Sequence, residues 1–320
     1  MKRIAVLGEI GSGNLGDDLG YVLVRDALLR AFDDLDVLAD IRPVTPNLFS
    51  LLDGYCWDAV LTGCGTLLDL AGGPYVRMLL AASARGPVAI VGSGIADPRH
   101  VAPTAGGRAA FAELIAKAAH VWLRASPEGC DPALAAPDPG WLYGWRGDEN
   151  PREGIGVNVG FAAFSTLRLD PEFLHTLDAL RGASPRSSAL VAAWRGDLAW
   201  LERLRRGEEP IHLVTGTRES TRVLGGWRAV VATRIHLAVL GACHGAMPIL
   251  PDYAGKVRDV FAGTSVPHTI VSARPGVDEL LQAIAAAPAT PTGADAVRAA
   301  QAGAETQIAA TAAALAQAWK

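Results

Sequence analysis

The chain has few of the features that mark membrane, secreted or nucleic-acid-binding proteins. Its 320 residues contain no run of about 18 or more strongly apolar residues, so we expect no membrane-spanning helix. The apolar run near the N-terminus is too short for a signal peptide. Basic and acidic residues are nearly balanced, 29 against 33, without a basic block, which argues against nucleic-acid binding and favours a small-molecule partner.

Cysteine and lysine are also scarce. The four cysteines, Cys56, Cys64, Cys130 and Cys243, form no C-x-x-C pair and no metal-ligand spacing with histidine, so no bound metal is expected. Thiols without such a pattern favour a cytoplasmic location. Because only four of the 29 basic residues are lysines, Lys256 points to a site that needs a compact, titratable charge instead of a guanidinium.

Both halves of the chain alternate short apolar runs with longer amphipathic segments, which predicts parallel sheets covered by helices. A stretch rich in Pro, Gly and Asp, residues 136–154, marks a linker between two Rossmann-like domains at 1–135 and 155–290. An alanine-rich segment over 291–320 predicts a long C-terminal helix. We therefore expect an α/β fold in which the two domains adopt a GT-B-like arrangement.

Glycine-rich loops follow several predicted strands of the first half. The first of them, 11–16, matches the dinucleotide pattern G-x-G-x-x-G, with Asp40 as a candidate to hold the ribose. A lone glycine pattern is weak evidence and Arg42 lies close to Asp40, so nicotinamide binding is a minor alternative. A later loop precedes a helix expected from about Thr66 to Arg85, whose N-terminal amides suit an anion.

The most informative stretch runs from Val230 to Lys256. An apolar strand gives way there to a helix-like segment, and Arg234 and His236 lie at the transition. Ligands of open α/β sheets bind outside the carboxyl ends of the strands, where helix N-terminal amides also point. Two cations, Arg234 and Lys256, and one titratable ring therefore predict an anion site at one sheet edge.

Short motifs spread over nearly the whole chain resemble, in order and spacing, those of the polysaccharide pyruvyltransferase family. The matching elements are Asn14-Leu15-Gly16-Asp17 (N-x-G-D), Gly63–Leu68 (G-G-G-[ST]-L-L), Gly92–Ile95, Val121–Ser126, Ala136–Pro139, Ile155–Asn158, Thr233–His236 (R-x-H), and Pro248 with Tyr253 and Lys256 (P…Y-x-x-K). The resemblance implies transfer of pyruvate from phosphoenolpyruvate (PEP) to two hydroxyls of a sugar, giving a cyclic ketal and phosphate. PEP is then a co-substrate and no cofactor is needed.

That implied reaction suggests roles for individual residues. Arg124, Arg234 and Lys256 are the candidates to bind the phosphate and carboxylate of PEP. His236 is the candidate acid that protonates the methylene carbon, and Asp17 is a candidate base for the acceptor hydroxyl. Asp17 is equally well read as a helix N-terminal carboxylate that stabilises the helix dipole.

The acceptor side is less well defined. Four residues of the loops are candidates to bind the acceptor: Asn14, Gly65, Thr66 and Gly94. We expect the N-terminal domain to bind the acceptor and the C-terminal domain to bind PEP. Cys64, Ala125 and Ser126 depart from the family pattern, and all three lie on the acceptor side. The acceptor can therefore be a sugar-like small molecule instead of a polysaccharide precursor.

Two other functions fit the same residues. A GT-B glycosyltransferase that uses a nucleotide sugar would bind its diphosphate at the cluster of Arg234, His236 and Lys256. A catalytically inactive family member would bind an anion there without turnover. The C-terminal helix could bury one face within the chain or against a second copy, so homo-oligomer formation is left open.

Overall fold

A computed structural model describes residues 1–44, 57–126, 130–148, 150–160, 172–183, 188–216 and 222–320 of the chain. Contacts between Cα atoms divide the chain into two compact units. Unit 1 comprises Met1–Ser12, Gly20–Leu142 and Gln301–Lys320, and unit 2 comprises Gly13–Leu19 and Tyr143–Ala300. Each unit contains a six-stranded sheet in which the paired strands run parallel.

The sheet of unit 1 contains the strands β1 (Lys2–Leu7), β2 (Ala39–Val44), β3 (Ala59–Thr62), β4 (Gly65–Leu68), β5 (Val88–Ile95) and β6 (His120–Leu123). Their order is β2-β1-β3-β5-β4, and β6 also pairs with β5. The helices of this part of the chain are Leu15–Asp33, Pro74–Ser83 and Ala105–Lys117. The central strands are apolar on both faces because helices cover both sides of the sheet.

The C-terminal helix spans Ala294–Ala318. Ala304, Ile308, Ala312 and Leu315 lie three or four residues apart, so they share one face of the helix. All four are buried in the core of unit 1, in the same cluster as Phe32. The expected alanine-rich helix is confirmed, and from Gln301 onward it belongs to unit 1.

The helix expected from about Thr66 to Arg85 is wrong in its first part. Residues Gly65–Leu68 form β4, which pairs with β5. The helix begins only at Pro74, which occupies the first helical position, after Asp69 has accepted hydrogen bonds from two turn amides. Proline fixes the backbone angle that a first helical residue needs, and this signal outweighs the apolar run before it.

The sheet of unit 2 contains the strands β7 (Gly154–Asn158), β8 (Ser188–Ala192), β9 (Ile211–Leu213), β10 (Trp227–Ala232), β11 (Met247–Pro251) and β12 (Thr269–Val271). Their order is β12-β11-β10-β7-β8-β9. The associated helices are Glu172–Ala183, Leu198–Leu201, Ile235–Cys243, Lys256–Asp259 and Val277–Ala286, with a 3-10 turn at Arg195–Asp197. Two further 3-10 turns come earlier in the chain: Pro132–Leu134 belongs to unit 1, and Pro139–Tyr143 ends at the first residue of the unit 2 segment Tyr143–Ala300. The sheet is parallel throughout its described pairs, so its carboxyl ends meet at one edge.

Cys64, Cys130 and Cys243 form no disulfide bond within the part of the chain that the structure describes, and Cys56 lies outside it. Among the helices that the structure describes, none combines the length and the apolar character needed to cross a bilayer.

Candidate functional site

The carboxyl edge of the unit 2 sheet is built around the end of β10. The backbone N–H of Arg234 donates to Oδ1 of Asn158, at 3.0 Å, and Asn158 donates through Nδ2 to the carbonyl of Val191. Thr233 accepts the N–H of Gly160 through its hydroxyl. These bonds join the ends of β10, β7 and β8, so they fix the start of the helix Ile235–Cys243.

The guanidinium of Arg234 contacts Asp197 along one edge and Trp194 on one side. Nε and Nη2 donate to the carboxylate of Asp197, with a shortest distance of 2.6 Å. The ring of Trp194 lies against it, 5.3 Å from the guanidinium carbon to the ring centroid. Within the described residues Nη1 donates no hydrogen bond, and 15% of the Arg234 side chain is exposed. The remaining edge of the guanidinium can therefore bind an anion.

The segment Gly13–Leu19 lies directly against this edge. The N–H of Leu15 donates to the carbonyl of Ala193, the residue that follows β8, at 2.9 Å. A Cβ atom on Gly16 would overlap the imidazole of His236, with Nδ1 as the nearest ring atom, so the ring packs closely against the glycine backbone. The structure thus brings together the N-x-G-D and R-x-H elements, which are far apart in sequence.

The two acidic residues of this segment differ in their contacts. Asp18 accepts the backbone N–H of Gly13, two residues before the helix Leu15–Asp33, at 2.8 Å. Asp17 accepts a short bond, 2.5 Å, from the side-chain amide of Asn14. Asn14 therefore holds the Asp17 carboxylate at the first turn of the helix Leu15–Asp33.

Tyr253 connects the loop after β11 to the same edge. Its hydroxyl donates to the carbonyl of Thr233, next to Arg234. Burial raises the pKa of Tyr253, so the phenol stays protonated and remains a donor. Lys256 starts the short helix Lys256–Asp259, and its Nζ lies 5.8 Å from the centroid of the Tyr253 ring. The P…Y-x-x-K element therefore places its lysine near the end of β10.

Arg124, the third cation predicted to bind PEP, lies in unit 1 and is buried. Its Nη1 pairs with Asp138 at 3.2 Å, and both side chains are 1% exposed. Its Nη2 donates to the hydroxyl of Thr66 at 2.8 Å, and a Cβ atom on Gly94 would overlap the guanidinium. A buried and compensated charge cannot reach a substrate in this structure. We therefore remove Arg124 from the PEP-binding set and read it as a brace for two glycine loops.

The predicted acceptor residues are divided between the units. Asn14 belongs to unit 2 with His236, whereas Gly65, Thr66 and Gly94 belong to unit 1. Gly65 adopts a φ of 132°, which favours glycine, at the start of β4. The side chain of Thr66 is engaged with Arg124, so its hydroxyl helps to order the loop.

Asp197 and Trp194 were not identified from the sequence. Both follow β8, and the carboxylate of Asp197 is fully buried. Their position after a strand of a parallel sheet is the one signal that could have singled them out, because the carboxyl ends of those strands form the ligand edge. The pairing of Asp197 with Arg234 requires the three-dimensional structure.

No protein-family model and no curated protein sequence matches the chain. Solved structures do match. The UDP-GlcNAc 2-epimerase of Methanocaldococcus jannaschii in complex with UDP-GlcNAc and UDP aligns with a TM-score of 0.58 at 10% identity, covering 94% of this chain and 99% of that one. The epimerase of Neisseria meningitidis bound to UDP-GlcNAc gives 0.55 at 10% identity, over 88% and 90%. The glycotransferase of kitacinnamycin gives 0.50 at 14%, over 98% and 97%.

At such low identity the likeness concerns the fold alone. These neighbours have the GT-B fold with two Rossmann-like domains, and this chain shares it. The predicted fold class, including the two Rossmann-like domains and the C-terminal helix, is therefore confirmed.

Proposed function

We propose that this protein transfers pyruvate from PEP to hydroxyls of a sugar or sugar-like acceptor and releases phosphate. The observation that carries the proposal is the contact between Gly16 and the ring of His236. Two elements of the pyruvyltransferase resemblance, N-x-G-D and R-x-H, meet there at the carboxyl edge of one sheet. If the two elements had unrelated structural roles, they would not need to be in contact.

The charges at this edge suit PEP, which carries a phosphate and a carboxylate on adjacent groups. Arg234 offers the guanidinium edge that Asp197 does not occupy, with the planar geometry that binds oxyanions in pairs. Lys256 adds a point charge at the start of the short helix Lys256–Asp259. The start of the helix Ile235–Cys243 supplies backbone N–H groups and the positive end of the helix dipole.

The proton-bearing groups match the requirements of ketal formation. His236 donates a proton to the methylene carbon of PEP, and Asp17 removes the proton of the attacking hydroxyl. The hydroxyl oxygen bonds to C2, and the bond between C2 and the phosphate oxygen then breaks to release phosphate. A second hydroxyl of the acceptor attacks the same carbon, and its proton passes to the released phosphate as the ketal closes. PEP and two hydroxyls are thus converted to ketal and phosphate without a redox step.

A nucleotide-sugar enzyme is the second candidate, and the fold neighbours favour it. Two of the neighbours described above are epimerases bound to UDP-GlcNAc and another is a glycotransferase. In this alternative, Arg234, His236 and Lys256 bind the diphosphate. A protein that binds PEP without turnover is a third outcome, which only an activity measurement separates from the first.

The test is phosphorus NMR of PEP incubated with the protein and a panel of sugars that carry neighbouring hydroxyl pairs. We expect loss of the PEP signal and growth of the inorganic phosphate signal with at least one acceptor. The same protein is titrated with UDP-GlcNAc by calorimetry. Absence of phosphate release with every acceptor, together with UDP-GlcNAc binding, would overturn the pyruvyl-transfer proposal in favour of the second candidate.

A further inference from the structure

The carboxylate of Asp197 belongs to none of the motifs that suggested the function. We infer that Asp197 is a positioning residue, which selects the edge of the Arg234 guanidinium that is presented to the anionic substrate. The inference rests on the proposed function, because it assumes that Arg234 binds PEP. It assigns to Asp197 no contact with substrate and no proton transfer.

The contacts of Asp197 restrict the Arg234 side chain in two ways. The carboxylate is fully buried and receives both Nε and Nη2 of Arg234, so the plane of the guanidinium is set by two hydrogen bonds. Trp194 covers one face of that plane. The carboxylate is itself held by the backbone N–H of Ala193. A long, flexible side chain is thereby ordered before any ligand arrives.

Asp197 and Trp194, which orient Arg234, also contact the segment Gly13–Leu19 through the turn after β8. Ala193 accepts the N–H of Leu15 through its carbonyl, so the residue that orients Asp197 also anchors the segment Gly13–Leu19. Gly13 lies beside the indole of Trp194. Arg234 and the Asn14–Asp17 element are therefore both held by the same turn after β8. A shift of this turn would move both of them.

A negative charge near an anion site can also weaken binding, so the two effects must be weighed. The charge of Asp197 is compensated by the guanidinium that it contacts at 2.6 Å, and the pair acts as a dipole with its positive end toward the open edge. Loss of the carboxylate removes the hydrogen bonds that orient the guanidinium of Arg234. We expect the loss of orientation to outweigh the relief of repulsion.

Calorimetric titration with PEP tests this role in Asp197→Asn. The amide preserves the shape of the side chain. It has no negative charge and only one acceptor oxygen, so it cannot bind both guanidinium N–H groups as the carboxylate does. We expect PEP to bind about 10-fold more weakly. Asp178→Asn is the matched control, because it makes the same change at an exposed pair with Arg206, and we expect wild-type affinity.

A second pair of variants keeps the test independent of the folding of Asp197→Asn. Trp194→Leu leaves the carboxylate in place but removes the aromatic face, and we expect weaker PEP binding. Trp194→Phe retains the face and should restore most of the affinity. A purely structural role for Trp194 would instead lower the unfolding temperature in both variants without separating their PEP affinities.

The outcomes distinguish this inference from the proposed function. If PEP binds wild type and fails to bind Arg234→Ala, yet binds Asp197→Asn as tightly as wild type or more tightly, the positioning role is refuted and the proposed function stands. If PEP does not bind wild type, the proposed function fails and the role of Asp197 fails with it.

Discussion

Each unit contains an arginine paired with an aspartate after a strand of its sheet, and the two pairs differ in access. In unit 1, Arg124 and Asp138 are both 1% exposed. In unit 2, Asp197 is fully buried but 15% of the Arg234 side chain is exposed. Nη1 and Nη2 of Arg124 both bond to protein groups, whereas Asp197 engages only Nε and Nη2 of Arg234.

This difference separates a structural arginine from one that can bind a ligand. The family resemblance suggested the same role for both residues, because each follows a strand in a matching motif. Burial and hydrogen bonding decide otherwise: the charge of Arg124 is compensated inside unit 1, and part of the guanidinium of Arg234 remains accessible.

Arg124→Ala should cause a large loss of stability. It leaves the carboxylate of Asp138 buried without its cation, which typically costs about 3 to 5 kcal/mol. Urea denaturation measures the change. Arg206→Ala, at an exposed pair, is the control and should cost less than about 1 kcal/mol. Equal losses in the two variants would show that the unit 1 pair is not the brace that we describe.

Acid should destabilise unit 2 through His244, which is buried beside the hydroxyl of Tyr143 at 3.0 Å. Burial, followed by the nearby Arg152 and Arg146, lowers the pKa of His244 to about 4. The ring is neutral when folded and titrates near 6.5 when unfolded. Its contribution to the unfolding free energy is therefore complete above about pH 6.5 and decreases as pH falls toward 4, by at most about 3 kcal/mol.

The acid effect is measured by urea denaturation at several pH values between 4 and 7. His244→Gln removes the titrating group, so its unfolding free energy should depend less on pH in this window. The same pH dependence in wild type and variant would assign the acid sensitivity to other groups.

Arg234→Ala should weaken PEP binding by about 1.5 to 3 kcal/mol, or about 10- to 150-fold, because a charge-assisted contact is lost. Calorimetry measures the affinity. Arg234→Lys keeps a cation beside Asp197 but loses the planar fork, so it should retain stability and still bind PEP more weakly. Unchanged PEP affinity in Arg234→Ala would make this arginine structural, like Arg124.

Gly16→Ala should disturb the site, because its Cβ would overlap the ring of His236. Overpacking of this kind typically costs about 1 to 3 kcal/mol, and it should also reduce PEP affinity. Gly106→Ala is a close match, since Gly106 is likewise the second residue of a helix but has no neighbouring atom within 4 Å of the added carbon. That control should be stabilising by about 0.4 to 1 kcal/mol. Similar effects in both variants would argue against tight packing of His236.

Much of the fold could be predicted from the sequence, because strand and helix periodicities are local. The alternation of apolar runs indicated both parallel sheets, and the alanine content indicated the helix Ala294–Ala318. The error at Gly65–Leu68 arose because an apolar run of four residues fits a helix or a strand, and its pairing with β5 decided the outcome.

The candidate site was only partly predictable. Arg234 and His236 were found because they end an apolar strand, and this is visible along the chain. The burial of Arg124 and the pairing of Arg234 with Asp197 were not predictable, because each depends on contacts between segments distant in sequence. The different partners of the two neighbouring aspartates, Gly13 for Asp18 and Asn14 for Asp17, depend on side-chain geometry that spacing does not specify.

The measurement that tests the central claim most directly is a pair of calorimetric titrations of the wild-type protein, with PEP and with UDP-GlcNAc, at the same pH and ionic strength. We expect PEP to bind, with an affinity that Arg234→Ala reduces and Arg206→Ala leaves unchanged. Binding of UDP-GlcNAc together with no heat from PEP would contradict the account and identify the edge at Arg234 and His236 as a nucleotide-sugar site.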